Sequence, residues 1–353
     1  MTDLNRPLRA SRFSAVRASF LSAVVARIEA KGLRAQPLLN RIGLAPQHLS
    51  DPYDPIPLAQ FVTFLEGAAD AVGDPYLGAR IGQEIKAGDM GPVGIVLSLS
   101  ESIGAGLDRV ARYASGLQSG TVSRWDTADG VRVFSYRLAD ETIWPRRQDA
   151  EFSLVSLTQV LRDSFLRNLS PVEVHFEHVA PADLAPIRRF FRCPLQFQQP
   201  TNRLFLRDED CGRLLRKEDG DLIATLERHI GDIVGAMLPN PDLVTAVRAM
   251  IETQLGLSAL TLDRIAAGLR MTPRSLQRRL AEEGTSLRNL LENVRRQSAM
   301  RMLAQPGVKV AHVAQALGYR EATAFWRAYR GWTGEPPSHR LASRRSGRAA
   351  PDE

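Results

Sequence analysis

Thr261-Leu262-Asp263-Arg264-Ile265-Ala266-Ala267-Gly268-Leu269-Arg270-Met271-Thr272-Pro273-Arg274-Ser275-Leu276-Gln277-Arg278-Arg279-Leu280 reads as two short helices and the turn between them. Thr261 stands where a hydroxyl can accept from an unpaired first-turn N–H. Ile265, Ala266 and Leu269 share one face, and small Ala266 lets a second helix cross closely. Thr272 caps the next helix, with Pro273 at its first position, where a missing N–H costs nothing. Leu276 and Leu280, four apart, point inward. Arg274, Gln277 and Arg278 lie on an arc of about 100° on the opposite side, at ~3.6 residues per turn. Arginine and glutamine are suited to bidentate contact with guanine and adenine edges in a major groove.

The plan recurs downstream. Val310 to Leu317 is a short helix with Val313 and Ala314 inward, Gly318-Tyr319 makes the turn, and Ala322 to Arg330 follows. Phe325 and Tyr329 form the inner face of that last helix, and Thr323 and Arg327 lie on another. Between the copies, Ser286–Ala304 predicts a helix of roughly 28 Å at ~1.5 Å per residue. That length approaches the ~34 Å per turn of B-DNA, so two spaced units could meet successive groove segments. On an isolated helix Arg274, Gln277 and Arg278 would read as a solvated face. Within a duplicated two-helix plan they read as a contact surface.

Charge supports this division. Of the net +7, residues 240–353 carry 18 Lys/Arg against 10 Asp/Glu, and residues 1–239 carry 28 against 29. A basic module on a near-neutral one points to a polyanion, without choosing among DNA, RNA and anionic lipid. No apolar run approaches the ~20 residues of a bilayer span. The short Phe20–Ile28 stretch is broken by Arg27, and no cleavage site follows it, so neither a signal peptide nor a membrane partner is expected. Two cysteines, Cys193 and Cys211, make no disulfide framework, and a reducing cytoplasm fits.

The 353-residue length allows two domains. Helical spacing is read at Ser14–Lys31, Pro37–Ile42, Leu58–Ala71, Pro75–Ile85 and Ser102–Leu117, with Gly88 to Gly94 as a turn. Thr121–Asp126 and Val131–Leu138 alternate around Thr127–Gly130 as a β-hairpin. A helix at Gln148–Asn168, a strand at Val172–Glu177 and a helix at Ala182–Phe191 follow. Leu195–Gln199 and Arg203–Arg207 read as a hairpin-like pair, and a helix at Asp219–Met237 ends at Leu238-Pro239-Asn240-Pro241. The expected fold is thus an α+β N-terminal domain, mostly helical with a few antiparallel strands. An all-α C-terminal domain with two helix-turn-helix units completes it. The boundaries are 1–238, 239–341, and a disordered tail at 342–353 containing Arg344-Arg345-Ser346-Gly347-Arg348.

The C-terminal segment resembles the DNA-binding domain of the AraC/XylS family of bacterial transcription regulators. The matching residues are Ile265-Ala266, Ser275-Leu276-Gln277-Arg278, Val313-Ala314, Leu317-Gly318-Tyr319, Phe325, Arg327, Tyr329 and Trp332-Thr333-Gly334 with Pro337, within roughly 242–340. The resemblance implies DNA contacts from Arg274, Ser275, Gln277 and Arg278 at the first unit, and from Arg320, Thr323 and Arg327 at the second. It implies double-stranded promoter DNA and RNA polymerase as partners, and a homodimer. Ala322 and Ala324 depart from the pattern, standing where many relatives carry larger polar residues. More weakly, Ile56-Pro57-Leu58-Ala59-Gln60-Phe61, Gly73-Asp74-Pro75-Tyr76-Leu77-Gly78 and Gly91-Pro92-Val93-Gly94 running on to Arg112-Tyr113 resemble the arabinose-binding-like regulatory domain. That resemblance implies a small-molecule effector whose contact residues cannot be picked from the sequence.

Other readings are set beside these. Arg279, Arg288, Arg295 and Arg296 divide between phosphate contact and plain surface charge. Trp326 and Trp332 read as packing or edge residues rather than intercalators. His175-Phe176-Glu177-His178 puts residues three apart on opposite faces of a strand, so no metal site is assigned. No catalytic residue, cofactor motif or enzyme is assigned either. An architectural, sequence-independent DNA binder is the alternative, and an enzyme fused to a DNA-targeting module would need a reactive cysteine.

Overall fold

The computed structural model describes residues 14–30, 32–51, 54–114, 118–128, 130–237 and 242–338. Leu238-Pro239-Asn240-Pro241 and the tail 342–353 lie outside them. The chain divides into two compact units. The first holds Met1–His175, Ala182–Leu195 and Asn202–Asn240, and the second Phe176–Pro181, Gln196–Thr201 and Pro241–Glu353.

The first unit runs β1 (Ala15–Arg17), α1 (Ala18–Ala30), α2 (Gln36–Arg41), β2 (Pro55–Pro57), α3 (Leu58–Val72), α4 (Leu77–Gly82), α5 (Gly91–Leu99), α6 (Ile103–Tyr113), β3 (Thr121–Ala128) and β4 (Val131–Leu138). After these come α7 (Arg147–Ser164), β5 (Glu173–His175), α8 (Ala185–Phe191), β6 (Leu195–Gln196), β7 (Asn202–Arg207), α9 (Asp208–Gly212) and α10 (Gly220–Met237). The expected β3–β4 hairpin forms, pairing Ser123 with Tyr136 and Trp125 with Phe134. A five-stranded sheet has the order β3-β4-β7-β5-β6, and β1 and β2 form a separate ribbon.

Three local readings change. Residues 15–17, expected at the start of a helix, pair as a strand with 55–57. The glycine-rich turn ends at Met90, and Gly91 opens the apolar helix α5. The strands read as a hairpin-like pair, β6 and β7, do not pair with each other, because β5 lies between them.

Helix α7 is the centre of this unit, buried on nearly every face. Gly78 and Gly82 let α4 approach it: a Cβ at Gly78 would collide with the Gln148 carbonyl, and one at Gly82 with the Phe152 carbonyl. The Gln148 side chain completes the joint, accepting from the Gly78 N–H at 2.8 Å and donating to the Pro75 carbonyl at 3.0 Å. Arg109 on α6 is clasped by Glu218 at 2.9 Å and by Glu227 of α10 at 3.1 Å. Burial pushes the thiols of Cys193 and Cys211 up to about 12, so neither is a nucleophile at neutral pH.

The second unit contains α11 (Leu243–Gln254), α12 (Leu262–Gly268), α13 (Pro273–Glu282), α14 (Leu287–Leu303), α15 (Val310–Ala316) and α16 (Ala322–Thr333). Its core gathers Ile251, Leu276, Leu280, Val294, Met302, Phe325 and Tyr329, among others. The segments 176–181 and 196–201 fold with these helices. Gln305 donates to the Glu177 carbonyl at 2.8 Å, and Thr201 donates to the Glu252 carbonyl at 2.9 Å. Among the described residues, no helix is long and apolar enough to cross a membrane.

Candidate nucleic-acid interface

Side-chain caps fix the starts of α12, α13 and α14, the first two of them read from the sequence. Thr261 accepts from the Arg264 N–H at 3.3 Å, Thr272 from Ser275 at 3.2 Å, and Ser286 from Asn289 at 3.2 Å. Each satisfies one donor that a helix start leaves unpaired. The two turns close alike. Met271 N–H bonds the Ala266 carbonyl and Arg270 N–H the Ala267 carbonyl, while Tyr319 and Gly318 do the same to Ala314 and Gln315. Both turns need a left-handed residue, which is Arg270 at φ 54° in the first and Gly318 at φ 77° in the second.

With Leu276 and Leu280 buried, α13 turns its other face outward. Arg274, Gln277, Arg278 and Arg279 are exposed, and Ser275 is half-buried. Arg278 approaches only Glu282, at 3.8 Å and with both side chains mostly in water. An exposed pair at that distance contributes next to nothing and leaves the guanidinium available. The Ser275 hydroxyl accepts from Thr272 at 3.0 Å, which ties it to the cap while leaving its own proton to donate.

On α16, Phe325 and Tyr329 are buried, and Thr323, Trp326 and Arg327 are exposed, as is Arg320 just before the helix. The Thr323 hydroxyl donates to Glu321 at 3.1 Å. The structure thus brings Arg274, Gln277 and Arg278 together on one helix face, and Thr323 and Arg327 on another. Superposing the buried pair Leu276/Leu280 on Phe325/Tyr329 puts Trp326 where Gln277 stands and Arg327 where Arg278 stands. Sequence reasoning gave Trp326 a packing or edge role without counting it among the contact residues, and 38% of it is exposed. The alignment of buried pairs was the signal that could have found it. Trp332 does pack, and its indole N–H donates to Glu292 at 2.9 Å.

Helix α14 joins the two helix pairs. Its 17 residues span about 26 Å at ~1.5 Å per residue. It packs on α11, α15 and α16 through Leu290, Val294, Ala299 and Met302. Arg295 does not stand free: its guanidinium lies 4.7 Å over the Tyr319 ring and secures the second turn to α14. Arg288 and Arg296 are exposed. His175 and His178 have local duties, the first beside Glu173 at 3.3 Å and the second at 2.9 Å from the Val179 carbonyl oxygen.

Comparison with known proteins places this architecture. Residues 32–215 match the profile described as the arabinose-binding domain of AraC transcription regulator, N-terminal, and residues 265–342 match a helix-turn-helix domain. The HTH-type transcriptional regulator VirS of Mycobacterium tuberculosis is 28% identical over 330 residues, covering 92% of this chain and 95% of its own. The ornithine utilization regulator of Pseudomonas aeruginosa is 23% identical over 91% of this chain and 94% of its own. The crystal structure of the transcriptional regulator CdpR from Pseudomonas aeruginosa aligns over 87% of this chain and 96% of that one, at 20% identity and a TM-score of 0.41.

Proposed function

The chain belongs to the AraC family of transcription regulators, and from that premise we propose that α12–α13 and α15–α16 are two helix-turn-helix units reading one face of a promoter duplex. Arg274, Gln277 and Arg278 contact base edges from α13. Ser275 and Arg320 bind phosphate and set the register. Thr323 and Arg327 work from α16, joined by Trp326, whose ring can lie against a thymine methyl or a sugar. The observation that carries this reading is the α13 face: three base-suited side chains in water on a helix whose opposite face is anchored by Leu276 and Leu280.

In this reading residues 239–341 bind DNA, residues 1–238 sense a small-molecule effector and pair two copies, and 342–353 is a tail. The protein works in the cytoplasm, where RNA polymerase is its partner at the promoter. The effector acts by binding two states of the protein unequally, since equal affinity would shift nothing.

Fluorescence anisotropy of the full chain on DNA from upstream of its own gene tests the reading. The expected result is a complex that survives excess scrambled competitor. Affinity indifferent to sequence, with a steep salt slope, would replace it with the architectural binder.

A further inference from the structure

A second candidate site lies inside the first unit. Strand β3 turns Thr121 and Ser123 to one face, and β4 sets Phe134 and Tyr136 on the same face, because alternate residues share a side and Ser123 pairs with Tyr136. Helix α7 covers that face with Phe152 and Ser156, one turn apart, and Phe20 of α1 closes one end. Between them is a cavity of about 80 Å³, not fully enclosed and walled mostly by apolar atoms.

Its polar groups are the unusual part. The hydroxyls of Thr121, Ser123 and Ser156 are buried and have no hydrogen-bond partner among the described residues. Ser156 is only 4% exposed. A mid-helix hydroxyl ordinarily donates to the carbonyl four residues back, as Thr158 does to Leu154 at 2.8 Å. Ser156 does not, although it stands on the same helix. An unmade bond of this kind is costly, and three around one cavity call for a shared partner.

The walls also say what the partner is not. Among the described residues, no Lys, Arg, His, Asp or Glu lines the cavity. Asp149 sits behind Tyr136, whose hydroxyl donates to it at 2.7 Å and lies 3.3 Å from the Gln118 amide that donates to it. A carboxylate or ammonium entering here would lose its hydration with no opposite charge to meet it. A sugar would bring more hydroxyls than the apolar walls can satisfy. A dry apolar cavity of ~150 Å³ takes up benzene; this one has about half that volume but is open at a side, so a single ring or a short branched chain fits with part of it in the opening.

We propose that this cavity, between the β3–β4 hairpin and α7, is the effector site, and that its ligand is a compact, uncharged, largely apolar molecule. One or two hydrogen-bonding atoms of the ligand engage Thr121, Ser123 and Ser156. The assignment rests on the reading of the chain as an effector-responsive regulator, and it gives that effector a chemical class.

Calorimetric titration of the full chain with phenol, toluene, benzoate and L-arabinose tests it. Phenol should bind at least fivefold more tightly than toluene, and benzoate and arabinose should not bind. Replacing the hydroxyls in a Ser123→Ala/Ser156→Ala double variant should bring phenol and toluene within twofold of each other while toluene binding persists. Absence of both phenol and toluene binding, tighter binding of benzoate, or an undiminished phenol preference in the double variant would each overturn the proposal. The phenol–toluene comparison in the unmodified chain stands even if the variant does not fold. Specific DNA binding, measured on the same preparation without ligand, separates the two failures. Intact DNA binding without phenol uptake removes the cavity assignment alone, whereas loss of specific DNA binding removes the regulator reading beneath it.

Discussion

Arg278 is the side chain on which the sequence-reading mechanism is most exposed to test. It is in water, its one ionic neighbour is 3.8 Å away, and its helix is held by residues on the opposite face. Arg278→Ala should therefore leave stability within about 0.5 kcal/mol. It should cost ~1–3 kcal/mol of specific DNA affinity and relax preference at one base pair. Anisotropy titrations against single-base operator variants measure both, and unchanged preference would reassign the residue to phosphate contact. Leu276→Ala, on the buried face of the same helix, should do the reverse by costing ~2–5 kcal/mol of stability. A different residue carries a pH signature. Burial raises the Glu151 carboxyl to about 7 despite the Arg147 guanidinium at 2.7 Å. The folded protein then holds a proton that the unfolded chain gives up near 4.5, so stability falls as pH rises from that value to about 7 and levels off above it. Glu151→Gln removes this dependence: relative to the variant, the unmodified chain should lose melting temperature between pH 5 and pH 8 in scanning calorimetry. A parallel course for the two proteins would refute it.

At the scale of elements, two connections between helices give predictions of opposite sign. Arg270 holds a left-handed conformation that disfavours a side chain, so Arg270→Gly should stabilise the unit by up to about 1 kcal/mol. Gly256, at φ 79°, is pressed against the end of α15, where a Cβ would collide with the Ala316 carbonyl. Gly256→Ala should destabilise by more than the ~1 kcal/mol of the backbone conformation alone. Hydrogen exchange of α14 amides reads both changes. The same elements show what the sequence could reveal. Helices α12 and α13 were legible because caps and buried faces are encoded within a few residues of one another, and α15 and α16 from their buried faces alone. The position of β5 between β6 and β7 was not, because strand pairing is a non-local choice among short strands of similar pattern. Helix α5 was read as part of a turn because Gly91 and Pro92 look like punctuation, although proline at a helix start is favoured. The sequence leaves open whether Trp326 packs or stands at the edge, and the register of Phe325 and Tyr329 puts it outside. The cavity could not be read at all, since Ser123 and Ser156 become neighbours only when β3 packs against α7.

For the molecule as a whole, the question is whether α13 and α16 act on DNA as one rigid reader. Helix α14 is continuous over 17 residues, and the second turn is tied to it through Arg295 stacked on Tyr319. Its length of about 26 Å is on the scale of one ~34 Å helical turn of duplex. A stiff spacer of that kind tolerates one separation between the two contacted DNA segments. Inserting five base pairs between them moves one segment to the opposite face of the duplex, and affinity should fall by at least tenfold, or about 1.4 kcal/mol. Inserting ten base pairs restores the face but not the distance. A rigid reader stays weak on that second operator, while two helix pairs on a flexible joint would recover. The salt dependence should follow the same logic. If α16 is lifted from the duplex, its phosphate contacts are lost, and each removes ~0.9 from the slope of log affinity against log salt. The five- and ten-pair insertions should therefore both show a shallower slope than the parent operator. Recovery of affinity and slope with the ten-pair insertion would overturn the rigid arrangement while leaving the base contacts of α13 intact.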